Sequence, residues 1–238
     1  MASARPAGRT RPSRLLGQAP QLILIAWALA VAVPLVWILM SSLKTNAEIY
    51  NSPFGPPGEL RLGTYVRAWA ESNISGFFLN TVVVVAGGVL LTMTLSATSA
   101  YVMARYPFPG SRVLYWLYLA GMTFPVFLAI VPLVRIVQAL GLFATPLGLI
   151  LVYAAFSLPF SIFFLTAFFR TLPKELSEAA FLDGAGHFGV FFRIMLPLAK
   201  PGLISIGVFN FLGQWNQFLL PQVLNPQQDE ERSNFVLS

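Results

Sequence analysis

The chain of 238 residues is 56% hydrophobic and only 10% charged, with a mean hydropathy of +0.71 and a formal net charge of +6. This composition excludes a water-soluble globular protein, because a soluble core cannot hide so much apolar surface, and it places the chain in a bilayer. The absence of cysteine excludes disulfides and thiolate chemistry. Membrane topology explains the positive charge better than a nucleic-acid partner does, so we predict no nucleic acid.

Five largely uncharged apolar runs are long enough, at about 20 residues, to cross a bilayer as helices. They cover residues 21–43, 77–104, 113–136, 145–169 and 201–220. The third run contains Pro125, Pro132 and Arg135. Because a proline within a span frees backbone carbonyls that lipid cannot satisfy, we expect this run to face protein. The predicted fold class is all-α, a polytopic bundle with a transmembrane domain over residues 21–220.

A basic leader, residues 1–20, precedes the first run, which is too long for a signal-peptide core and lacks a convincing cleavage site. We therefore interpret the run as a retained anchor and the leader as cytoplasmic. The same side then receives the basic loop residues, as the positive-inside rule requires: Arg105, Arg112, Arg170, Lys174, Arg193 and Lys200. The segment 221–238, with Asp229, Glu230 and Glu231, is predicted to be an external tail.

Two further patterns have structural interpretations. The polar segment 45–76 is rich in turn-forming residues, and we expect a short surface helix at 65–69. In the second run small residues recur every four positions, which predicts a face for close helix packing: Gly88, Thr92, Ser96, Ala100 and Ala104.

The cytoplasmic loop 170–200 is predicted to form two short helices. The first covers 174–183, with Pro173 in its first turn and Glu178 near the positive end of the helix dipole. Gly184 and Gly186 then allow positive φ and turn the chain.

The second helix is predicted at 188–195, and Pro197 and Pro201 are expected to stop it. The pair exposes phenylalanines on a membrane surface, which suits either a soluble partner or burial among lipid headgroups.

Residues 184–189 also read as G-x-G-x-x-G, but a helix precedes them and no acidic residue lies between Asp183 and Asp229, so we reject a dinucleotide site. No phosphate-binding loop is present, so ATP hydrolysis is expected in another chain.

The single histidine, His187, has no companion ligands. We predict no catalytic residues, no metal site and no cofactor. Arg135 lies near the external end of its run and is expected to snorkel outward.

The loop contains a specific signature: Glu178-Ala179-Ala180, then three residues, Gly184, then nine residues, Ile194, one residue, and Leu196-Pro197. This resembles the complete signature of binding-protein-dependent permeases of ATP-binding-cassette importers. The resemblance covers about residues 80–220. Other segments resemble the carbohydrate-uptake branch, namely the second permease of the maltose type: YVMARYPFPG at 101–110, Leu158-Pro159-Phe160, Asp183-Gly184-Ala185 and Trp215-Asn216-Gln217-Phe218.

The resemblance implies a multi-pass protein of a bacterial or archaeal cell membrane whose loop 178–197 couples to a separate ATPase. Glu178 would supply a charged contact, Ala179 and Ala180 would permit close approach, and Gly184 would set the angle between the helices. Asp183, Ile194, Leu196 and Pro197 complete the implied coupling set. The implied partners are a homologous second permease, two ATPase subunits and an external solute-binding protein, and the implied cargo is a sugar or oligosaccharide.

In the fifth run, Asn210, Gln214, Trp215 and Asn216 are candidates for the solute path, because aromatic faces stack on sugar rings and amides bond hydroxyls. A secondary transporter or channel without an ATPase is the alternative, as is a membrane scaffold without solute flux. A secondary transporter or channel would be favoured by acidic or proton-relay groups in the spans, which the sequence lacks. Permeases of this branch normally have a sixth span, so we expect either a truncation or an unusual architecture.

Overall fold

The computed structural model describes residues 14–225, with side chains from residue 20 onward. All regular elements in this range are helices. The predictions for the start of the leader and for most of the tail, including the acidic cluster 229–231, lie outside the described residues. The chain divides into two compact units, Met1–Ser72 and Asn73–Ser238.

The first unit holds three helices, α1 (Arg14–Ser42), α2 (Asn46–Asn51) and α3 (Gly63–Glu71). The apolar part of α1, Pro20–Ser42, contains an 18-residue stretch with a mean hydropathy of 2.7 and agrees with the first predicted run. Helix α3 includes the surface helix expected at 65–69, whereas α2 was not predicted.

Helix α2 begins with a capping box. The Thr45 hydroxyl accepts from the Glu48 N–H at 3.1 Å, and the Thr45 N–H donates to the Glu48 carboxylate at 2.8 Å. The same carboxylate accepts from the Gly58 N–H at 3.1 Å. These hydrogen bonds, above all that from the Thr45 backbone, hold the pKa of Glu48 below its ordinary value.

The second unit is built on two long helices, α4 (Ile74–Arg105) and α7 (Pro146–Thr171), and each contains an 18-residue stretch with a mean hydropathy of 2.1. The predicted small-residue face of α4 is confirmed. Gly88, Thr92, Ser96 and Ala100 are buried, and Ala104 packs at the margin of the apolar core. Small side chains at this spacing let the two backbones approach closely.

The predicted run 113–136 is not one straight helix. It consists of α5 (Ser111–Thr123) and α6 (Val126–Ala139), bent by 105° at Pro125. Proline lacks an N–H and forces the preceding residue into an extended conformation, and Phe124 has φ −78° and ψ 121°. Of α6 only Val137 is buried, so the expectation that this run faces protein is not met within the chain itself.

The remaining helices follow α7 in order: α8 (Glu175–Leu182), α9 (His187–Val190), a π-helical turn (Phe191–Met195), α10 (Leu196–Leu198), α11 (Lys200–Trp215) and α12 (Leu219–Leu224). The helix of the fifth run, α11, ends at Trp215, five residues before the predicted end at residue 220. In the described part three helices are long and apolar enough to cross a membrane, and the number reaches five if each of two bent pairs counts as one span.

The described part of the second unit, residues 73–225, has two apolar clusters. One joins α4 and α7 to the loop helices through Tyr101, Phe169, Phe191 and Met195, and Ile206 adds α11 to it. The other joins α6, α7 and α12 at the opposite ends of the long helices. The first cluster fixes the position of the loop that carries the signature.

Candidate functional site

Helix α8 forms the first half of the signature loop. It begins at Glu175, two residues after Pro173, so the proline precedes the first turn instead of lying within it. Glu175 and Glu178 both occupy the first turn, where a carboxylate interacts favourably with the helix dipole. Both side chains are exposed. Glu178 is therefore available to a partner without any rearrangement of the loop.

A Schellman motif ends α8. The Ala185 N–H donates to the Ala180 carbonyl at 2.9 Å, and the Gly184 N–H donates to the Phe181 carbonyl at 3.0 Å. This geometry places Gly184 in the left-handed region, at φ +83°. Ala185 and Ala180 also share one apolar cluster, which is the side-chain contact that accompanies such motifs. The predicted turn at Gly184 is thus confirmed.

The predictions for Gly186 and Pro197 are wrong. Gly186 has φ −76° and ψ 167°, an extended conformation, because it is the N-cap of α9. The second helical stretch continues beyond Pro197 to Leu198 through the π-helical turn, in which the Leu196 N–H donates to the Phe191 carbonyl. This wider turn accommodates the ring that would crowd an α-helical carbonyl. The chain bends at Ala199 by 73°, and Pro201 lies in the first turn of α11.

The signature residues divide by burial into two groups. Ala180 is buried, with 7% of its surface exposed, and Ile194 and Leu196 pack partly buried against the same apolar cluster. The others are exposed: Glu178, Ala179, Asp183, Gly184 and Pro197. The first group holds the two helices against the long helices, and the second presents a surface. Leu182 and Phe188, at 89% and 81% exposed, extend that surface with apolar area.

His187 links this loop to the end of α4, which the sequence analysis did not predict. Its Nδ1 lies 2.9 Å from the Tyr106 hydroxyl, and that hydroxyl lies 3.3 Å from the Tyr101 hydroxyl. The imidazole also meets the Phe181 ring edge-on at 5.1 Å. At the same end of α4 the Arg105 guanidinium donates to the Leu172 carbonyl at 2.7 Å. These contacts attach the loop to the end of α4.

Two of the four solute-path candidates lie together. Asn210 and Gln214, 4% and 5% exposed, point from α11 towards α7. The Asn210 amide donates to the Ser161 hydroxyl at 2.9 Å, and the Gln214 amide donates to the Ser157 hydroxyl at 3.1 Å. Both residues border a cavity of about 200 Å³, whose walls also include Tyr153, Phe160 and Phe209. The serines were missed, although their spacing of four in one apolar run was a usable signal.

Trp215 and Asn216 do not border this cavity. Trp215 stacks on Phe211 at 5.4 Å and meets Phe78 of α4 edge-on at 5.9 Å. Asn216 is exposed and donates to the Leu212 carbonyl at 2.8 Å, so it caps the end of α11. Arg135 is exposed near the end of α6, which suits the predicted snorkelling.

Comparison with known proteins assigns the class. The family described as binding-protein-dependent transport system inner membrane component matches residues 94–229. The diacetylchitobiose uptake system permease protein of Streptomyces coelicolor is 53% identical over 208 residues, which cover 87% of this chain and 69% of that protein. The trehalose transport system permease protein of Mycobacterium tuberculosis is 35% identical over 188 residues, covering 79% and 68%.

Among solved structures, the crystal structure of a bacterial ABC transporter involved in the import of the acidic polysaccharide alginate matches with a TM-score of 0.82. The match covers 96% of this chain and 80% of that chain at 23% identity, so it shows a shared fold.

The chain belongs to the family of inner-membrane permease components of binding-protein-dependent ABC importers. It is a transporter subunit of the bacterial plasma membrane and not an enzyme, and ATP hydrolysis belongs to a partner chain. A solute-binding protein is the second kind of partner that this family requires. The comparisons give no support to a secondary transporter.

Proposed function

We propose that this chain carries a sugar or oligosaccharide across the membrane, delivered by the external binding protein, and that it pairs with a homologous second permease and two ATPase subunits. The observation that carries the proposal is 53% identity to a diacetylchitobiose permease over 87% of the chain. The relatives named for trehalose and sulfoquinovosyl glycerol also handle glycosides. Diacetylchitobiose is therefore the first solute to test.

We propose that the exposed signature residues of α8 and the following turn contact the ATPase. Ala179 has no bulk that would keep a partner at a distance, and Glu178 carries the charge that would pair with it. Removing Leu182 and Phe188 from water would supply apolar binding energy, since burying a large apolar side chain contributes about 1.5–3 kcal/mol. The inward anchors, such as Ala180, would then pass ATPase movement to the membrane helices as a rigid body.

The solute path is proposed to run past the cavity between α7 and α11. Its aromatic walls suit the faces of a sugar ring, and its serine and amide groups suit hydroxyls. Trp215 and Asn216 would flank the path without lining it. We therefore expect Asn210→Ala to lower uptake more than Asn216→Ala, since Asn210 bonds to Ser161 of α7 whereas Asn216 bonds only within α11.

Reconstitution of the complete importer in proteoliposomes tests the proposal. Vanadate-sensitive ATP hydrolysis should rise when diacetylchitobiose and the binding protein are added together, and labelled sugar should accumulate inside. Hydrolysis that rises without accumulation of any tested glycoside would contradict the sugar assignment. Accumulation driven by an ion gradient in the absence of ATP would contradict the importer assignment itself.

A further inference from the structure

A basic cavity lies where the α4–α5 turn meets the end of α7. It has a volume of about 280 Å³ and is lined by Met103, Ser111, Arg112, Tyr115, Trp116 and Arg170. No carboxylate lines it, and in the described part of the chain neither arginine forms an ion pair. The Arg170 guanidinium lies over the Tyr115 ring, 5.6 Å from its centroid. Two positive groups thus border one hollow with no negative partner from the described chain.

This arrangement suits an oxyanion. Two cations on one cavity repel each other, and an anion between them would be attracted to both. The planar guanidinium group offers paired donors that match phosphate oxygens, and stacking on Tyr115 limits the orientations of Arg170. The exposed fork of Arg112 completes a site open on one side to an incoming headgroup.

The surroundings indicate a lipid and not a free phosphate. On α5, immediately beside the cavity, Val113, Trp116 and Leu117 are 64%, 60% and 63% exposed. These apolar side chains offer a surface for an acyl chain, and tryptophan is enriched at the membrane–water interface. Arg170 is the first residue of the loop 170–200, whose contact with the ATPase under the proposed function requires the cytoplasmic side. Anionic lipids attract basic groups on that leaflet.

We propose that this cavity binds the phosphodiester headgroup of an anionic phospholipid, with Arg112 and Arg170 as the phosphate ligands and the apolar face of α5 as the acyl-chain contact. The site would fix the α4–α5 turn against the end of α7, next to the loop that receives the ATPase. A bound lipid would then brace the helices through which the ATPase acts.

The test is retention of phosphatidylglycerol by the complete importer. The complex is reconstituted in nanodiscs of phosphatidylcholine containing one quarter phosphatidylglycerol, extracted, washed in detergent and analysed by native mass spectrometry. A basic group held against an anionic headgroup contributes about fivefold in affinity, so Arg112→Gln with Arg170→Gln should lower retention about 25-fold after the detergent wash has removed lipid held only by diffuse attraction. The matched control, Lys174→Gln with Lys200→Gln, removes two cations of the same leaflet outside the cavity and should leave retention near wild type.

Equal retention by the arginine variant and wild type would overturn the site, as would an equal loss in the lysine control, which would show diffuse attraction only. If the arginine variant does not assemble, a photocrosslinker at exposed Trp116 takes its place. It should label phosphatidylglycerol in preference to phosphatidylcholine, and equal labelling would contradict the proposal. Soluble glycerol phosphate should not displace the lipid, and displacement would reassign the site to a free phosphate. None of these results depends on which solute is carried.

Discussion

The left-handed conformation of Gly184 provides the sharpest test of the coupling loop. Gly184→Ser forces an L-residue to φ +83°, whereas Gly186→Ser makes the same change at φ −76° two residues away. A Cβ at either position meets nothing within 4 Å, so neither change causes a clash. The two variants therefore differ chiefly in the backbone conformation that the new side chain must adopt.

The expected magnitude follows from that difference. Holding an L-residue in the left-handed region costs about 1–2 kcal/mol. If the Schellman turn must form before the ATPase docks, this cost lowers the affinity of the ATPase for the permease about 5–30-fold. Serine at position 186 is a good N-cap, so Gly186→Ser should leave affinity unchanged or slightly improved. Asparagine tolerates positive φ, so the Gly184→Asn variant should keep most of the wild-type affinity for the ATPase.

The assay is the dissociation constant of the ATPase subunit from the solubilised permease, measured alongside solute-stimulated ATP hydrolysis in proteoliposomes. The reasoning is refuted if Gly184→Ser binds the ATPase as wild type does. It is also refuted if the two serine variants lose affinity equally, because the loss would then depend on the loop surface and not on the turn.

Two further outcomes can be checked by stability measurements. In Gly202→Ala the new Cβ would lie 2.6 Å from the Phe168 ring, so the free energy of unfolding should fall by about 1–3 kcal/mol. In Gly213→Ala, on the same helix, the new Cβ meets nothing within 4 Å, so the free energy of unfolding should rise by up to about 1 kcal/mol. Thermal unfolding that shifts equally for both would rule out packing as the cause. Because the folded pKa of Glu48 is lowered, its stabilisation of segment 45–58 is present above the ordinary value of 4.5 and is lost as pH falls through the folded pKa. Amide exchange at Gly58, corrected for intrinsic pH dependence, should show this loss in wild type and not in Glu48→Gln.

The features that the sequence predicted correctly depend on local rules. Hydropathy located the long helices, and a spacing of four located the face of α4 from Gly88 to Ala104, because a single helix determines both. Gly184 was predictable because a helix end of this kind commonly needs a residue with positive φ. These properties need no knowledge of the neighbouring helices.

The misses depend on tertiary contacts or on a choice between permitted conformations. Glycine can adopt either sign of φ, and Gly186 has a negative φ because it is the N-cap of α9. Pro197 normally ends a helix, but the π-helical turn before it absorbs the ring. Nothing local brings His187 to Tyr106 across the long interval of sequence, or the serines of α7 to Asn210. Periodicity identifies which side chains share a face but not which helix lies opposite.

The break between α5 and α6 has a consequence for permeability. Where the helix stops at Thr123, carbonyl groups lose their N–H partners, and hydrocarbon offers no replacement. Within the bilayer such a point is tolerated only against water or another polypeptide. The exposed rings beside it, Phe124 and Phe127, are 59% and 76% exposed and would flank any opening there. At this bend the assembled importer must therefore either admit water or be sealed by a neighbouring chain against ion leakage.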